Sequence, residues 1–162
     1  MSGLPSGLAS LTELHDSAAA AERHSALLGR PFAVVMAALA GLPLVNARDG
    51  YAAGDVLLEQ AAAATVDVAR QSAATAGRHG AARFALILPD AGSAEAQALA
   101  RTLRAALPPA AAADLSIAVR EPAESGERVL QRARDALRPS APTAPVPVVH
   151  LRVAAEGDPQ RR

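Results

Sequence analysis

The sequence predicts a single domain of α+β or α/β class, with helices alternating with strands around one central hairpin. Three stretches carry that expectation. Phe32-Ala33-Val34-Val35-Met36-Ala37-Ala38 is an unbroken apolar run containing β-branched residues, and reads as a buried central strand. Thr75-Ala76 and the apolar run Phe84 to Leu88 flank a turn of small residues, Gly80-Ala81-Ala82, and read as a hairpin. Asp114 to Val119 alternates as a further strand, and the segments between these runs place apolar residues at helical spacing.

The elements follow in order. Residues 1–9 are rich in Gly, Ser, Pro and Leu and are expected to be poorly fixed. Asp16-Ser17 suits an N-cap for an Ala-rich helix to about Leu28, which Gly29-Arg30-Pro31 ends. After the first strand, Gly41-Leu42-Pro43 and Asn46-Ala47-Arg48-Asp49-Gly50-Tyr51 read as a polar break. A second helix runs from Asp55 to about Ala69, with Val56, Leu57, Ala61, Ala64 and Val68 on its inner face. Beyond the hairpin, Asp90-Ala91-Gly92-Ser93 caps a helix whose stripe is Ala96, Leu99, Leu103 and Leu107, and Pro108-Pro109 stops it. A fourth helix runs from about Ser125 to Leu137, with Val129, Leu130, Ala133 and Leu137 inward. Residues 10–138 then form the domain, residues 139–145 a Pro-rich connector, Val146 to Val153 a last strand, and residues 154–162 a disordered tail.

Composition narrows the chemistry. Of 162 residues 51% are apolar, yet only Phe32, Tyr51 and Phe84 are aromatic, so Leu, Val and Ile must build the core against alanine-faced helices. Formal net charge is zero, which leaves no electrostatic footprint for nucleic acid. Every basic side chain apart from histidine is arginine, so a lysine ammonium can capture no phosphate. Without cysteine there is no disulfide, thiol nucleophile or zinc–thiolate centre. The N-terminus lacks a basic region followed by an apolar run, and the longest apolar run, Pro31 to Val45, falls short of the roughly 20 residues a spanning helix needs. A soluble cytoplasmic protein without a membrane partner is expected.

Residue patterns add little chemistry of their own. His15, His24, His79 and His150 are too dispersed for a local metal-ligand spacing. Asn46 to Gly50 lacks the first acid and the closing Glu of a calcium loop. Asp16, Asp90 and Asp114 stand where caps and turns want acids, and solvated structural roles are expected for them. No cofactor is implied.

Several motifs in a shared order resemble the GGDEF domain family of diguanylate cyclases. Leu11-Thr12-Glu13-Leu14 is similar to that family's Leu-Thr-Gly-Leu start. Asn46, Gly50 and Gly54-Asp55, followed by Leu57-Leu58, are similar to its Asn-Asp-x-x-Gly-His-x-x-Gly-Asp motif. Arg78-His79-Gly80 with Phe84 to Pro89 resembles the frame of the signature hairpin, Ser116-Ile117-Ala118-Val119 the Ser-Ile-Gly-Val strand, and Ala133 to Leu137 the Ala-Asp-x-Ala-Leu helix. The resemblance spans roughly Leu8 to Leu137. It implies an α+β, nucleotide-cyclase-like (palm-type) domain, with a mostly antiparallel sheet of about five strands flanked by helices.

The departures are chemical. Where the resemblance implies Gly-Gly-Asp-Glu-Phe, the chain reads Gly80-Ala81-Ala82-Arg83-Phe84. The family's acidic pair supplies a metal ligand and a catalytic carboxylate, and its Asp-x-Asp at the end of the first strand aligns with Ala38 and Ala40. Phosphoryl transfer leans on cations held by such carboxylates, so Ala38, Ala82 and Arg83 argue against catalysis. The phosphate-contacting Phe-Lys pair aligns with Leu42-Pro43, and the inhibitory Arg-x-x-Asp with Gln71 and Ala74. Asn46 and Asp55 survive at positions that contact guanine in the family. A structural reading competes, in which Asp55 caps its helix and Asn46 stabilises a turn. Arg83 is a further candidate, meeting a phosphate in place of metal, against the reading of a solvated hairpin arginine.

The expectation is a catalytically inactive GGDEF-like module that regulates by binding another protein or itself, in keeping with a short chain showing no sensor domain. The competing expectation is a sensor that binds GTP or cyclic di-GMP through Asn46, Asp55 and Arg83 without turnover.

Overall fold

The computed structural model describes residues 7–137; the expected connector, last strand and tail lie outside the described residues. Strands β1 (Leu8–Ala9), β2 (Ala33–Leu39), β3 (Thr75–Arg78), β4 (Arg83–Leu88) and β5 (Ala113–Val119) form one sheet in the order β1-β3-β4-β2-β5. Only the β1–β3 pair is parallel. Helices α1 (Leu11–Leu28), α2 (Leu42–Asp49), α3 (Tyr51–Gln71), α4 (Ser93–Ala106) and α5 (Gly126–Ala136) cover its faces. The expected α+β class, mostly antiparallel sheet and β3–β4 hairpin are all present.

Strand period two sorts the core into two layers. Val34, Met36, Ala85, Ile87 and Ala118 meet Leu14, Ala18, Val129 and Leu130 of α1 and α5. Val35, Ala37, Leu86, Leu115 and Ile117 face Leu57, Ala61, Leu99 and Leu103 of α3 and α4. Each fully buried Leu, Ile or Phe here contributes about 1.5–3 kcal/mol.

Several expectations need correction. Leu8 and Ala9 are not loose, because they pair with Ala76 and Gly77. Helix α1 starts at Leu11, not at Asp16, because Ser10 and Glu13 form a reciprocal capping box at 3.2 and 2.8 Å. The polar break around Asn46 is helix α2: Pro43 occupies its first turn, where a missing N–H costs nothing, and Gly50 at φ 93° ends it. Helix α3 therefore begins at Tyr51, and Val56, expected inward, is 51% exposed. Among the described residues, no helix is long and apolar enough to cross a membrane.

Candidate functional site

The end of the sheet where β2 meets the β3–β4 turn gathers Ala38, Ala82 and Arg83. Ala38 is the register partner of Arg83 on β4 and of Asp114 on β5, so the three share one row. The row follows Val34 and Met36 in parity and lies on the α1/α5 face. Leu39 N–H donates to Ala82 O at 2.9 Å, which locks the turn to the end of β2. Two of the positions that the sequence aligns with family acids, Ala38 and Arg83, are thus brought side by side as methyl group and guanidinium.

The turn is held by arginines. Arg83 Nε donates to His79 O at 3.0 Å, and its guanidinium lies over Gly80, where any Cβ would be 2.8 Å from Nη2. Gly80, at φ 110°, supplies both the backbone shape and the space. Arg78 donates from Nε to Gly80 O at 3.3 Å and from Nη2 to Ala81 O at 2.6 Å. The turn carbonyls of His79, Gly80 and Ala81 thus face two guanidinium groups.

His79 stacks on His15 of α1 with ring centroids 6.2 Å apart. Its Nδ1 is buried without a partner among the described residues. Burial holds the imidazole below its ordinary range; a backbone hydrogen bond opposes that, and Arg83, His15 and Arg134 reinforce it. The His79 imidazole is therefore reluctant to gain charge. Among the described residues, no three His, Cys, Asp or Glu side chains are grouped to hold a metal.

Asn46 and Asp55 belong to the opposite layer. Asn46 Oδ1 sits so close to the α3 backbone that a Cβ on Gly54 would be 1.7 Å away, which brings Asn46 beside the neighbour of Asp55. The α3 N-cap is Gly50 without a side-chain bond, so Asp55 does not cap its helix. No hydrogen bond among the described residues uses either side chain, so neither acts as a hydrogen-bonding cap. Asp55 is exposed and Asn46 half-buried. No hydrogen bond or ion pair joins Arg83 to either of them among the described residues. Asn46 lies against Gly54, the residue before Asp55, and Arg83 is committed to the turn.

Asp114 was expected in solvent, yet it is 3% exposed inside β5. Its parity with Ser116 and Ala118 was the available signal: the strand is covered on both faces. Gln71 and Ala74 stand at the end of α3 and just before β3, with no charged group at either position.

The family model "Diguanylate cyclase, GGDEF domain" matches residues 1–141. No curated protein sequence matches the chain. Among solved structures, the fold is similar to the GGDEF domain of DgcB from Caulobacter crescentus in complex with c-di-GMP, at 18% identity, TM-score 0.70 and coverage of 84% of this chain and 88% of that one. It is similar to the active GGEEF domain of a diguanylate cyclase from Vibrio cholerae, at 20% identity, TM-score 0.68 and coverage of 80% and 87%. It is also similar to the diguanylate cyclase SiaD in complex with its activator SiaC from Pseudomonas aeruginosa, at 19% identity, TM-score 0.70 and coverage of 79% and 53%.

Proposed function

The chain belongs to the GGDEF domain family, and on that premise we propose that it is a member that does not turn nucleotide over and regulates by contact in cyclic di-GMP signalling. Its partner is another protein or a second copy of itself. One observation carries this reading: Arg83 stands beside Ala38 with its guanidinium folded over the turn. A magnesium ion is held through one or two carboxylates, and a fixed cation in their place repels it. Leu44, Tyr51 and Val56, 62%, 78% and 51% exposed on α2 and the start of α3, give the domain apolar side chains for a partner to cover. The complex of SiaD with its activator is a protein contact made by a similar fold.

Overnight incubation with GTP and magnesium or manganese, followed by chromatography, tests the first half; no cyclic di-GMP is expected, and product ends the proposal. Pull-down and solution scattering test the second half. Finding no partner, together with a monomer at working concentration, counts against it.

A second reading rests on Asn46 and Asp55. An amide and a carboxylate without internal partners can meet the acceptor and donors of a guanine edge, and the DgcB domain was solved with cyclic di-GMP. Calorimetry with GTP and cyclic di-GMP, with Asn46→Ala and Asp55→Ala as controls, separates binding from contact alone. An absence of heat at about millimolar ligand removes this reading.

A further inference from the structure

At the end of the sheet away from the hairpin turn, a cleft of about 560 Å³ opens between the C-terminal end of α1 and the loop after β5. Two arginines line it. Arg120 is half-buried and has no carboxylate within 4.0 Å among the described residues. Its Nε donates to Glu124 O at 2.7 Å and its Nη1 to Ser25 Oγ at 3.1 Å. Both acceptors are neutral, so the charge is uncompensated by an ion pair. A guanidinium has five N–H donors; two are used, leaving three, and the Nη2 group is not sealed from solvent.

The nearby acids are spoken for. Glu124 is gripped by Arg132 at 2.6 Å, Glu22 accepts the Gly126 N–H at 2.9 Å, and Asp90 faces His24 at 3.1 Å. Arg30, the second arginine of the cleft, reaches Asp90 only at 3.8 Å, with both side chains exposed, a contact weak enough to release it. Ala26, Pro31 and Pro122 make the remaining wall apolar and rigid.

We propose that this cleft binds a small molecule carrying an oxyanion, a phosphate monoester or carboxylate, on a compact apolar body. Arg120 takes the anion through its fork of donors, Arg30 turns in from Asp90 to share it, and the prolines cover the body. The cleft lies within the usual volume range of small-molecule sites and is larger than an anion alone would fill. The site is independent of the proposed function, because no residue of the hairpin turn, α2 or α3 lines it.

Amide NMR of the full chain tests this with phenyl phosphate, benzoate and inorganic phosphate as probes. Phenyl phosphate, benzoate or both are expected to shift the amides of Ser25, Gly29, Arg120 and Ala123, and whichever does so more tightly identifies the anion. Inorganic phosphate binds more weakly because it leaves the apolar wall uncovered. Arg120→Lys keeps the charge but loses the fork, and weakens binding about tenfold. Ala26→Glu, at an exposed position that disturbs none of the Arg120 bonds, places a carboxylate in the cleft mouth and abolishes binding while thermal unfolding stays unchanged. No shifts at about 20 mM of any probe, or shifts that persist in Ala26→Glu, overturn the proposal.

Discussion

Across the β2–β4 ladder, Ala38 and Arg83 are register partners, and the guanidinium beside that methyl group bonds the carbonyl of His79 at 3.0 Å. The Ala38 and Arg83 positions carry no carboxylate and one fixed positive charge, and the acid in their row is the buried Asp114 of β5. Putting acids back should reverse the electrostatics. The double variant Ala38→Asp/Arg83→Glu is expected to bind manganese by calorimetry, whereas the natural chain gives no heat. Equal binding by both proteins would mean that the cation site does not depend on this row.

Arg83 also has a structural duty. Arg83→Ala removes a charge-assisted hydrogen bond to a turn carbonyl and is expected to cost about 1–2 kcal/mol in urea unfolding. Arg78 still ties Gly80 and Ala81, so the hairpin survives. An unchanged midpoint would place the Arg83 side chain in solvent, as the sequence alone suggests.

Gly54→Ala pits two effects of similar size against each other. Alanine gains roughly 1 kcal/mol of helix propensity, and the new Cβ, 1.7 Å from Oδ1, forces Asn46 off its rotamer for about 0.5–1.5 kcal/mol. Stability should barely change while the Asn46 side-chain amide resonance moves. A loss beyond about 2 kcal/mol would show instead that the backbone or Leu42 sets the close approach.

Local chemistry explains what the sequence discloses and what it hides. The buried β2 run, the β3–β4 hairpin and the α4 stripe depend on residues adjacent in sequence, and each was legible. Helix α2 was not, because Pro43 and the Asn46–Gly50 run have turn propensities, and only the proline's place in the first turn makes them compatible with a helix. Helix α1 was read as starting late because the Ser10–Glu13 box follows a Gly-rich stretch and Asp16 offers a competing cap. Ala38, Arg83 and Asp114 share a row only through strand register, and His15 meets His79 only because α1 covers that face. Such pairings have no local signature. Unpartnered Asn46 and Asp55 are visible only once every cap has been accounted for.

His79 makes stability depend on mild acid. Burial lowers its folded-state pKa below the unfolded value near 6.5, so the unfolded chain binds the proton first. Stability is therefore full above that value and falls as pH drops from it towards the lowered folded pKa. Arg83, His15 and Arg134 all oppose the new charge. Thermal melts from pH 7.5 to 5 should show the fall in the natural chain and a smaller one in His79→Phe, which keeps the stacking on His15. Identical pH profiles would locate the sensitivity elsewhere.

The ion pair between α5 and the loop that precedes it should govern resistance to stronger acid. Arg132 donates to Glu124 from Nε at 2.6 Å and from Nη2 at 2.8 Å, and Nη2 also donates to Val119 O at 2.6 Å. Burial alone would raise the Glu124 pKa, but the Arg132 hydrogen bonds, helped by the Glu121 N–H, outweigh it and hold the carboxyl below its ordinary value. For an acid with a depressed folded pKa, the stabilisation is present above the unfolded value near 4.5 and is lost as pH falls through the folded one. Glu124→Gln keeps the shape but takes the hydrogen-bonded carboxylate from Arg132, and at neutral pH is expected to cost about 2 kcal/mol, less than a fully buried pair because Arg132 is partly exposed. It should also flatten the stability profile below pH 4.5 relative to the natural chain. If Glu124→Gln instead unfolds at the same denaturant concentration at pH 7, the carboxylate adds nothing to what the bond from Arg132 to Val119 O and the apolar packing of α5 already supply.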